Sequence, residues 1–473
     1  MKNTNKNFIY NVIYQIFVFI IPLITIPYIS RVLGVDNVGI YSYTYSLVNY
    51  FMLCSLIGIN NYGARNIAKK SNNKDEMSEE FSNIYFLQLF LTIIMLILYF
   101  TFFLFIYRYN LKIMLIQSIF LISVAFDINW FYFGMEKFRI TISRNIVIKL
   151  LSLVLIFCIV KSSGDLWKYT LIMSCSTLIS QLYLWIFIKK YIDFHKPSLN
   201  KILKNLKPCL VLFIPVIAYS IYRIMDKTMI GYIANTIELG NYESAEKIIN
   251  IPISFITALG TVMLPHMSKA SDKEIKNKIS DTYRLIFLFT VPMCFGIFAI
   301  STDFSAVFFG NEFTLTAGII RLLIVTVIFS AIANVIRTSY LIPKEKDKIY
   351  VTSTILGAII NLILNLIFIK KYGAYGACIG TICAEFAVMI YQVIKTIDVI
   401  DYKQMIYILF NYIIKSFVMV LIIYVLGQFI ENIYLKIILQ IIAAVIVYFI
   451  LNYKYIIYDF LGKKEKNIRK FLD

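Results

Sequence analysis

The chain has 473 residues, of which 60% are hydrophobic, 16% aromatic and only 15% charged. A soluble globular domain has about 25% charged residues, so this composition excludes an ordinary soluble enzyme. The formal net charge of +19 would favour a nucleic-acid partner in a soluble protein. Most basic residues here lie in short gaps between apolar runs, however, and that distribution indicates membrane topology and no nucleic-acid binding.

Apolar runs that can cross a bilayer, which takes about 20 residues, recur along the whole chain. They predict an all-α integral membrane protein with about 14 transmembrane helices. The first run follows two lysines but contains two prolines and is too long for a secretory signal, so we interpret it as an uncleaved span. The predicted spans are 8–29, 39–60, 81–106, 113–133, 145–160, 167–188, 208–234, 246–267, 284–305, 317–341, 349–369, 374–395, 412–430 and 434–452.

The distribution of Lys and Arg predicts the orientation of these spans. With the N-terminus inside, the cytoplasmic gaps and tails hold about three times as many basic residues as the outer gaps. Both termini are therefore predicted to be cytoplasmic. No gap is long enough for a folded soluble domain, so any chemistry must take place within the helix bundle or at its mouths.

A loose internal repeat predicts two halves. The segment IPLITIPYISRVLG, with Pro22 and Arg31, is similar to IPVIAYSIYRIMDKTMIG, with Pro215 and Arg223. Repeated halves that enclose a site near the midplane are typical of transporters. We therefore predict two pseudo-symmetric six-helix lobes, followed by two additional helices and a basic cytoplasmic tail. The corresponding ranges are 1–200, 201–400 and 401–473.

The most informative charged residues are Arg223, Asp226 and Lys227 in the seventh predicted span. Spacings of three and four residues place all three on one helix face. Charges within a bilayer are costly unless they pair or face water. One interpretation is a structural Arg–Asp pair with Lys227 extending to the interface, and the other is a cationic wall of a hydrated cavity that binds an anion. Arg31, the repeat counterpart of Arg223, either contacts the substrate or anchors its helix.

Four further charged residues lie inside predicted spans. They are candidates for ion coupling or for additional positions in the cavity, and helix packing or extension to the interface are the alternatives. They are Asp127, Glu385, Arg321 and Arg337.

Motifs for catalysis or metal binding are missing from the sequence. It contains no GxxxxGKS/T, HExxH or GxSxG motif, and its seven cysteines form no CxxC pair. We therefore expect no enzymatic activity, no cofactor and no metal site. Transport would then be driven by an ion gradient or by the substrate gradient.

Four segments in this order are similar to one known family: the opening NVIYQIFVFIIPLITIPYISRVLGVDNVGIYSYTYSLVNYF, GINNYGARNIAKK, NWFYFGMEKFR and YRIMDKTMIGY. The chain resembles the Wzx-type polysaccharide repeat-unit flippases, in the superfamily that also contains multidrug exporters and the lipid II flippase. The resemblance covers most of residues 5 to 400.

This resemblance implies both a mechanism and a substrate. It implies a V-shaped pair of lobes that works by alternating access in the bacterial cytoplasmic membrane. The implied substrate is an undecaprenyl-diphosphate-linked oligosaccharide for capsule, O-antigen or other surface polysaccharide, and the implied partners are the polymerase and chain-length machinery. The family's cavity residues correspond to Arg31, Arg223, Asp226 and Lys227.

Three other functions fit the sequence less directly. An ion-coupled multidrug exporter of the same fold would prefer organic cations, which a net-positive cavity disfavours. A lipid II flippase also carries an anionic diphosphate, so charge does not separate it from the first function. A polysaccharide polymerase would need a large outward loop with catalytic groups, and the outer gaps are short.

Overall fold

The computed structural model describes residues 2–268 and 272–454, without the side chains at 2–20, 138, 214–216, 218–222, 265–266, 272–273, 275–277 and 454. The secondary structure of these ranges is helical, with no β-strand. The α-helices are α1 (Lys2–Leu56), α2 (Ile59–Lys70), α3 (Lys74–Thr101), α4 (Leu111–Ala125), α5 (Asn129–Gly134), α6 (Phe138–Ile159), α7 (Leu166–Ile188), α8 (Leu199–Ile233), α9 (Thr236–Ser268), α10 (Asp272–Phe309), α11 (Thr316–Ile336), α12 (Asp347–Tyr372), α13 (Ala374–Lys395), α14 (Tyr402–Gln428) and α15 (Ile433–Lys454).

The helices confirm the predicted all-α membrane fold. Within the described residues, 11 helical stretches are long and apolar enough to cross a membrane. Three other spans were predicted. Span 8–29 falls on α1, span 39–60 runs from α1 into the start of α2, and span 208–234 falls on α8. The predicted basic tail after α15 lies outside the described residues.

Between the first two predicted spans the chain forms a helix break instead of a loop. Gly34 has φ 80° and ψ 167°, which interrupts α1 at a single residue. This region of backbone conformation is essentially restricted to glycine. The break therefore separates a first segment of α1, which carries Arg31, from a second segment that begins at Val35.

Packing divides the chain into two compact units. The first comprises Met1–Glu243 and Asn365–Ala374, and the second comprises Ser244–Leu364 and Tyr375–Asp473. The boundaries therefore run through α9 and near the end of α12. The division into three sequential parts stays a prediction.

Close contacts in the first unit explain two of the sequence motifs. A Cβ atom on Gly63 of α2 would lie 2.6 Å from the ring of Trp130 of α5, and one on Gly134 would lie 2.6 Å from the Ala64 carbonyl oxygen. The buried Trp130 donates a hydrogen bond from Nε1 to Gln88 Oε1 of α3, at 2.9 Å. GINNYGARNIAKK and NWFYFGMEKFR thus contain a glycine-dependent packing contact between α2 and α5.

The connector between α7 and α8 is fixed to α3 of the same unit. The Ser78 hydroxyl accepts a hydrogen bond from the Asp193 N–H at 3.1 Å, and Asn83 Oδ1 accepts one from the Ser198 N–H at 2.9 Å. Buried polar side chains near the start of α3 therefore position the chain just before α8.

The second unit is held together by contacts of α10 with α11, α14 and α15. Lys436 of α15 pairs with Asp303 of α10 at 2.7 Å. Gln440 donates a hydrogen bond to the Ile423 carbonyl of α14 at 3.0 Å. The last described helix, α15, is thus bonded to both α10 and α14.

We expect Gly34→Ala to lower stability by about 1 to 3 kcal/mol, because alanine would be strained at this φ and ψ. The measurement is thermal unfolding of the purified protein in detergent. Gly296→Ala is the matched control, since the nearest atom to its added Cβ is a Met419 methyl carbon 4.0 Å away. Equal melting temperatures for the two variants would contradict the conclusion that the backbone conformation at residue 34 requires glycine.

Candidate substrate-binding site

Three charged residues of α8 form the centre of the candidate site. Arg223, Asp226 and Lys227 lie about 9 to 15 Å before the end of the helix at Ile233, at a rise of about 1.5 Å per residue. Asp226 is only 5% exposed, whereas Arg223 and Lys227 are half-buried. We call these three residues the α8 charge cluster.

Neutral donors from two other helices fix Asp226. Tyr242 of α9 donates its hydroxyl hydrogen to Asp226 Oδ2 at 2.9 Å, and Asn365 of α12 donates from Nδ2 to Oδ1 at 2.6 Å. Hydrogen bonds to a carboxylate compensate part of the cost of removing it from water. Asp226 therefore connects α8, α9 and α12 within the first unit.

Lys227 forms an ion pair that the sequence analysis missed. Its Nζ lies 2.7 Å from Glu243 Oε2 of α9, and the Ser42 hydroxyl of α1 donates to the same oxygen at 2.9 Å. The side chains of Lys227 and Glu243 are 23% and 17% exposed. Counting the charges of the seventh span alone therefore overstated the positive charge of this site.

Glu243 was missed because the eighth span was predicted to start at residue 246. In the structure, α9 begins ten residues earlier, at Thr236. Asn235 Oδ1 accepts a hydrogen bond from the Glu238 N–H at 2.8 Å, which caps the start of this helix. The spacing of Asn235 and Glu238 in NTIE is a helix-start signal that could have placed Glu243 on α9.

Glycines allow α1 to approach both α8 and α9 in this region. A Cβ atom on Gly39 would overlap the Thr236 carbonyl oxygen, and one on Gly231 would overlap the ring of Tyr43. Small residues let membrane helices pack with their backbones close together. This close approach brings Ser42 within hydrogen-bond distance of Glu243.

Aromatic rings lie beside the ion pair. Tyr41 stacks on Tyr45 with 5.9 Å between ring centroids, and its edge contacts Tyr169 of α7 at 5.0 Å. All three tyrosines interact electrostatically with Glu243. The site therefore combines charged groups with half-buried phenol rings, which can offer both stacking surfaces and hydroxyl groups.

The family model of the polysaccharide biosynthesis proteins matches residues 4–271, which is more than half of the chain. The chain belongs to this family. A second family model, that of the lipid II flippase MurJ, matches residues 171–445.

The chain is also similar to known transport proteins in sequence and to solved structures in fold. The chain is 23% identical to a candidate O-antigen transporter of Shigella dysenteriae, over 79% of this chain and 95% of that protein. It is 29% identical to a candidate glycan biosynthesis flippase of Haloferax volcanii, over 35% of this chain and 36% of that protein. Its fold is similar to that of the lipid II flippase MurJ, with a TM-score of 0.78 and 18% identity over 95% of this chain and 99% of the other. An inward-facing multidrug transporter gives a TM-score of 0.58 and 14% identity, over 80% of this chain and 97% of the other.

In this polysaccharide biosynthesis protein, Arg31 lies near the end of the first segment of α1. Its side chain is exposed, and it precedes the break at Gly34 by three residues. Tyr28, one turn earlier, donates its hydroxyl hydrogen to the Val160 carbonyl at 2.7 Å and so fixes this segment to the end of α6. Substrate contact by Arg31 stays a prediction.

Asp127 lies in a polar network at the turn between α4 and α5. Its Oδ1 accepts hydrogen bonds from the backbone N–H and the side-chain amide of Asn129, at 3.0 and 2.6 Å. The buried Arg144 donates from Nη2 to Asn129 Oδ1 at 3.1 Å. These contacts favour the helix-packing interpretation of Asp127 over ion coupling.

The other three predicted residues lie in the second unit. Glu385 accepts a hydrogen bond from the Ser330 hydroxyl at 2.8 Å. Arg321 donates to the Ser301 hydroxyl at 2.8 Å. The guanidinium group of Arg337 lies over the ring of Tyr350, 5.4 Å from its centroid.

The described residues contain no group of three or more His, Cys, Asp or Glu side chains that could hold a metal ion.

We expect Asp127→Asn to retain transport, because an amide oxygen can still accept the hydrogen bonds from Asn129. Asp127→Ala should instead lose about 1 kcal/mol of stability together with these hydrogen bonds. Transport assays at matched protein levels, together with thermal unfolding, measure both effects. A stable Asp127→Asn protein without transport would favour ion coupling.

Proposed function

We propose that this protein flips lipid-linked anionic oligosaccharides from the inner to the outer leaflet of the cytoplasmic membrane. The observation that carries the proposal is the placement of charged side chains inside membrane helices, at the α8 charge cluster and Glu243. Ionisable residues inside membrane proteins are costly and usually mark a substrate or ion pathway. The relatives named as O-antigen transporters or glycan flippases support the same substrate class.

The chemistry of this substrate class fits the first unit. A lipid-linked oligosaccharide combines a diphosphate, a hydrophilic glycan and a long lipid tail, so its head group must be kept out of the apolar core during transfer. Arg223 and Lys227 can offer charge-assisted hydrogen bonds to the diphosphate. Tyr41, Tyr45 and Tyr169 provide rings and hydroxyl groups for the sugars.

In this proposal the protein is a transporter without catalytic activity. Both termini are cytoplasmic in this proposal, which the excess of Lys and Arg in the predicted cytoplasmic gaps supports. Transfer works by alternating access, and the polymerase and chain-length machinery are the proposed protein partners. The sugar composition of the substrate is left open.

Lipid II transport is the second candidate, because the lipid II flippase model matches residues 171–445. Complementation separates the two functions, since each deficient strain lacks only one of the transport activities. We expect the gene to restore surface polysaccharide to a repeat-unit flippase mutant and to leave a strain depleted of lipid II flippase inviable. The reverse result would reject our proposal in favour of lipid II transport.

Within the site, Arg223→Ala should reduce transport by at least about tenfold, because it removes donors for the diphosphate. Arg223→Lys should also lose a substantial part of the rate, because the planar guanidinium can grip phosphate groups in a bidentate manner and an ammonium group cannot. The measurement is the appearance of lipid-linked glycan in the outer leaflet of cells with matched protein levels.

Arg108→Ala is the control for these variants. Arg108 is exposed beyond the end of α3, where its side chain donates to the Leu104 carbonyl at 3.2 Å. We expect this variant to transport like the parent. If Arg223→Lys also matched the parent while Arg223→Ala was inactive, Arg223 would contribute only its charge.

A further inference from the structure

We propose that the Glu243 carboxylate is an internal competitor of the substrate diphosphate. It neutralises Lys227 in the empty site and is displaced when a diphosphate binds. The inference rests on the proposed function and assigns Glu243 a role in the release of the anionic head group.

The first step of the argument is the geometry of the ion pair. Glu243 Oε2 lies 2.7 Å from the ammonium nitrogen of Lys227. The same oxygen accepts a hydrogen bond from the Ser42 hydroxyl group, with 2.9 Å between the two oxygen atoms. A cation and a hydroxyl donor that converge on one anionic oxygen can also bind a phosphate oxygen. Glu243 thus occupies a position that suits the anion of the substrate.

The second step is the contrast with Asp226, the other carboxylate of this region. Asp226 is 5% exposed and receives hydrogen bonds from the neutral Tyr242 and Asn365. Glu243 is more accessible, with 17% of its side chain exposed, and the side chain of its partner Lys227 is 23% exposed. Asp226 is therefore suited to hold helices together, whereas Glu243 is suited to give up its place beside Lys227 to an incoming anion.

The third step concerns charge in a medium of low dielectric constant. A half-buried charge in a membrane helix is destabilised when its counter-charge is removed, so an anion beside Lys227 is favourable at every stage of transport. Glu243 supplies it before the substrate enters and again after the substrate leaves.

The consequence of this exchange is reversible binding of the head group. Every anion that reaches Lys227 must first displace the Glu243 carboxylate, which weakens its binding. When the anion leaves, the carboxylate returns to Lys227, which lowers the cost of release. Glu243 therefore keeps the affinity for the anionic head group low enough for release.

The test measures binding of undecaprenyl diphosphate and undecaprenyl phosphate to the full-length protein in nanodiscs. Glu243→Gln should bind undecaprenyl diphosphate about tenfold more tightly than the parent, because close charge pairs typically couple by more than the 1.4 kcal/mol that this factor represents. Its affinity for undecaprenyl phosphate should also rise, because either anion must displace the carboxylate in the parent. Lys227→Gln should weaken binding of both lipids.

Two further variants make the result specific to Glu243. Ser42→Ala changes no charge and removes a donor that serves the carboxylate in the empty site and the phosphate in the occupied site, so diphosphate binding should change by a smaller factor than in Glu243→Gln. Glu238→Gln removes a negative charge from the same helix at a residue that accepts a hydrogen bond from the Ala374 N–H, and binding should be unchanged.

The opposite effects of the two ion-pair variants distinguish competition from a structural role. If Glu243→Gln and Lys227→Gln both weakened binding, or if Glu243→Gln left it unchanged, the pair would be structural and the inference would be wrong. A parent protein that binds neither lipid would reject the proposed function itself. A parent that binds the diphosphate while Glu243→Gln gives no gain would reject only the role of Glu243.

Discussion

The low dielectric constant of the membrane interior is the constraint on which the candidate site depends. A charge there must be paired or hydrogen-bonded, because water cannot solvate it. Asp226 meets this requirement with Tyr242 and Asn365, and Lys227 meets it with Glu243. Charge compensation therefore links α8 to α9 and to the end of α12 within the first unit.

Such compensation requires helices that pass unusually close to one another. Gly39 of α1 and Gly231 of α8 leave no space for a Cβ atom, so any larger residue would separate the backbones that meet there. Ser46 and Thr228 use the same proximity to form a hydroxyl hydrogen bond of 3.0 Å between α1 and α8. Small side chains thus supply the spacing, and polar side chains supply directional bonds between the helices.

Hydropathy predicted the helices well because bilayer thickness fixes the length of an apolar span. The prediction from hydropathy failed where a single residue sets the backbone conformation. Between the first two spans we expected a loop, and the structure has a helix break at Gly34. Hydropathy also placed the start of α9 too late, because Glu238 and Glu243 interrupt the apolar pattern while remaining in the helix. Among the candidate residues, the α8 charge cluster could be found from spacing on one helix, whereas its partners Ser42, Glu243 and Asn365 come from distant segments.

The distant partners change how the charges of the site are to be understood. On α8 alone, two positive residues face one negative residue, which suggests a permanent positive surface. With Glu243 included, these four residues carry two charges of each sign, so Lys227 is available to an anion only when Glu243 moves away from it. Affinity for an anion then depends on an exchange of partners, which lets a membrane protein bind a highly charged head group and also release it.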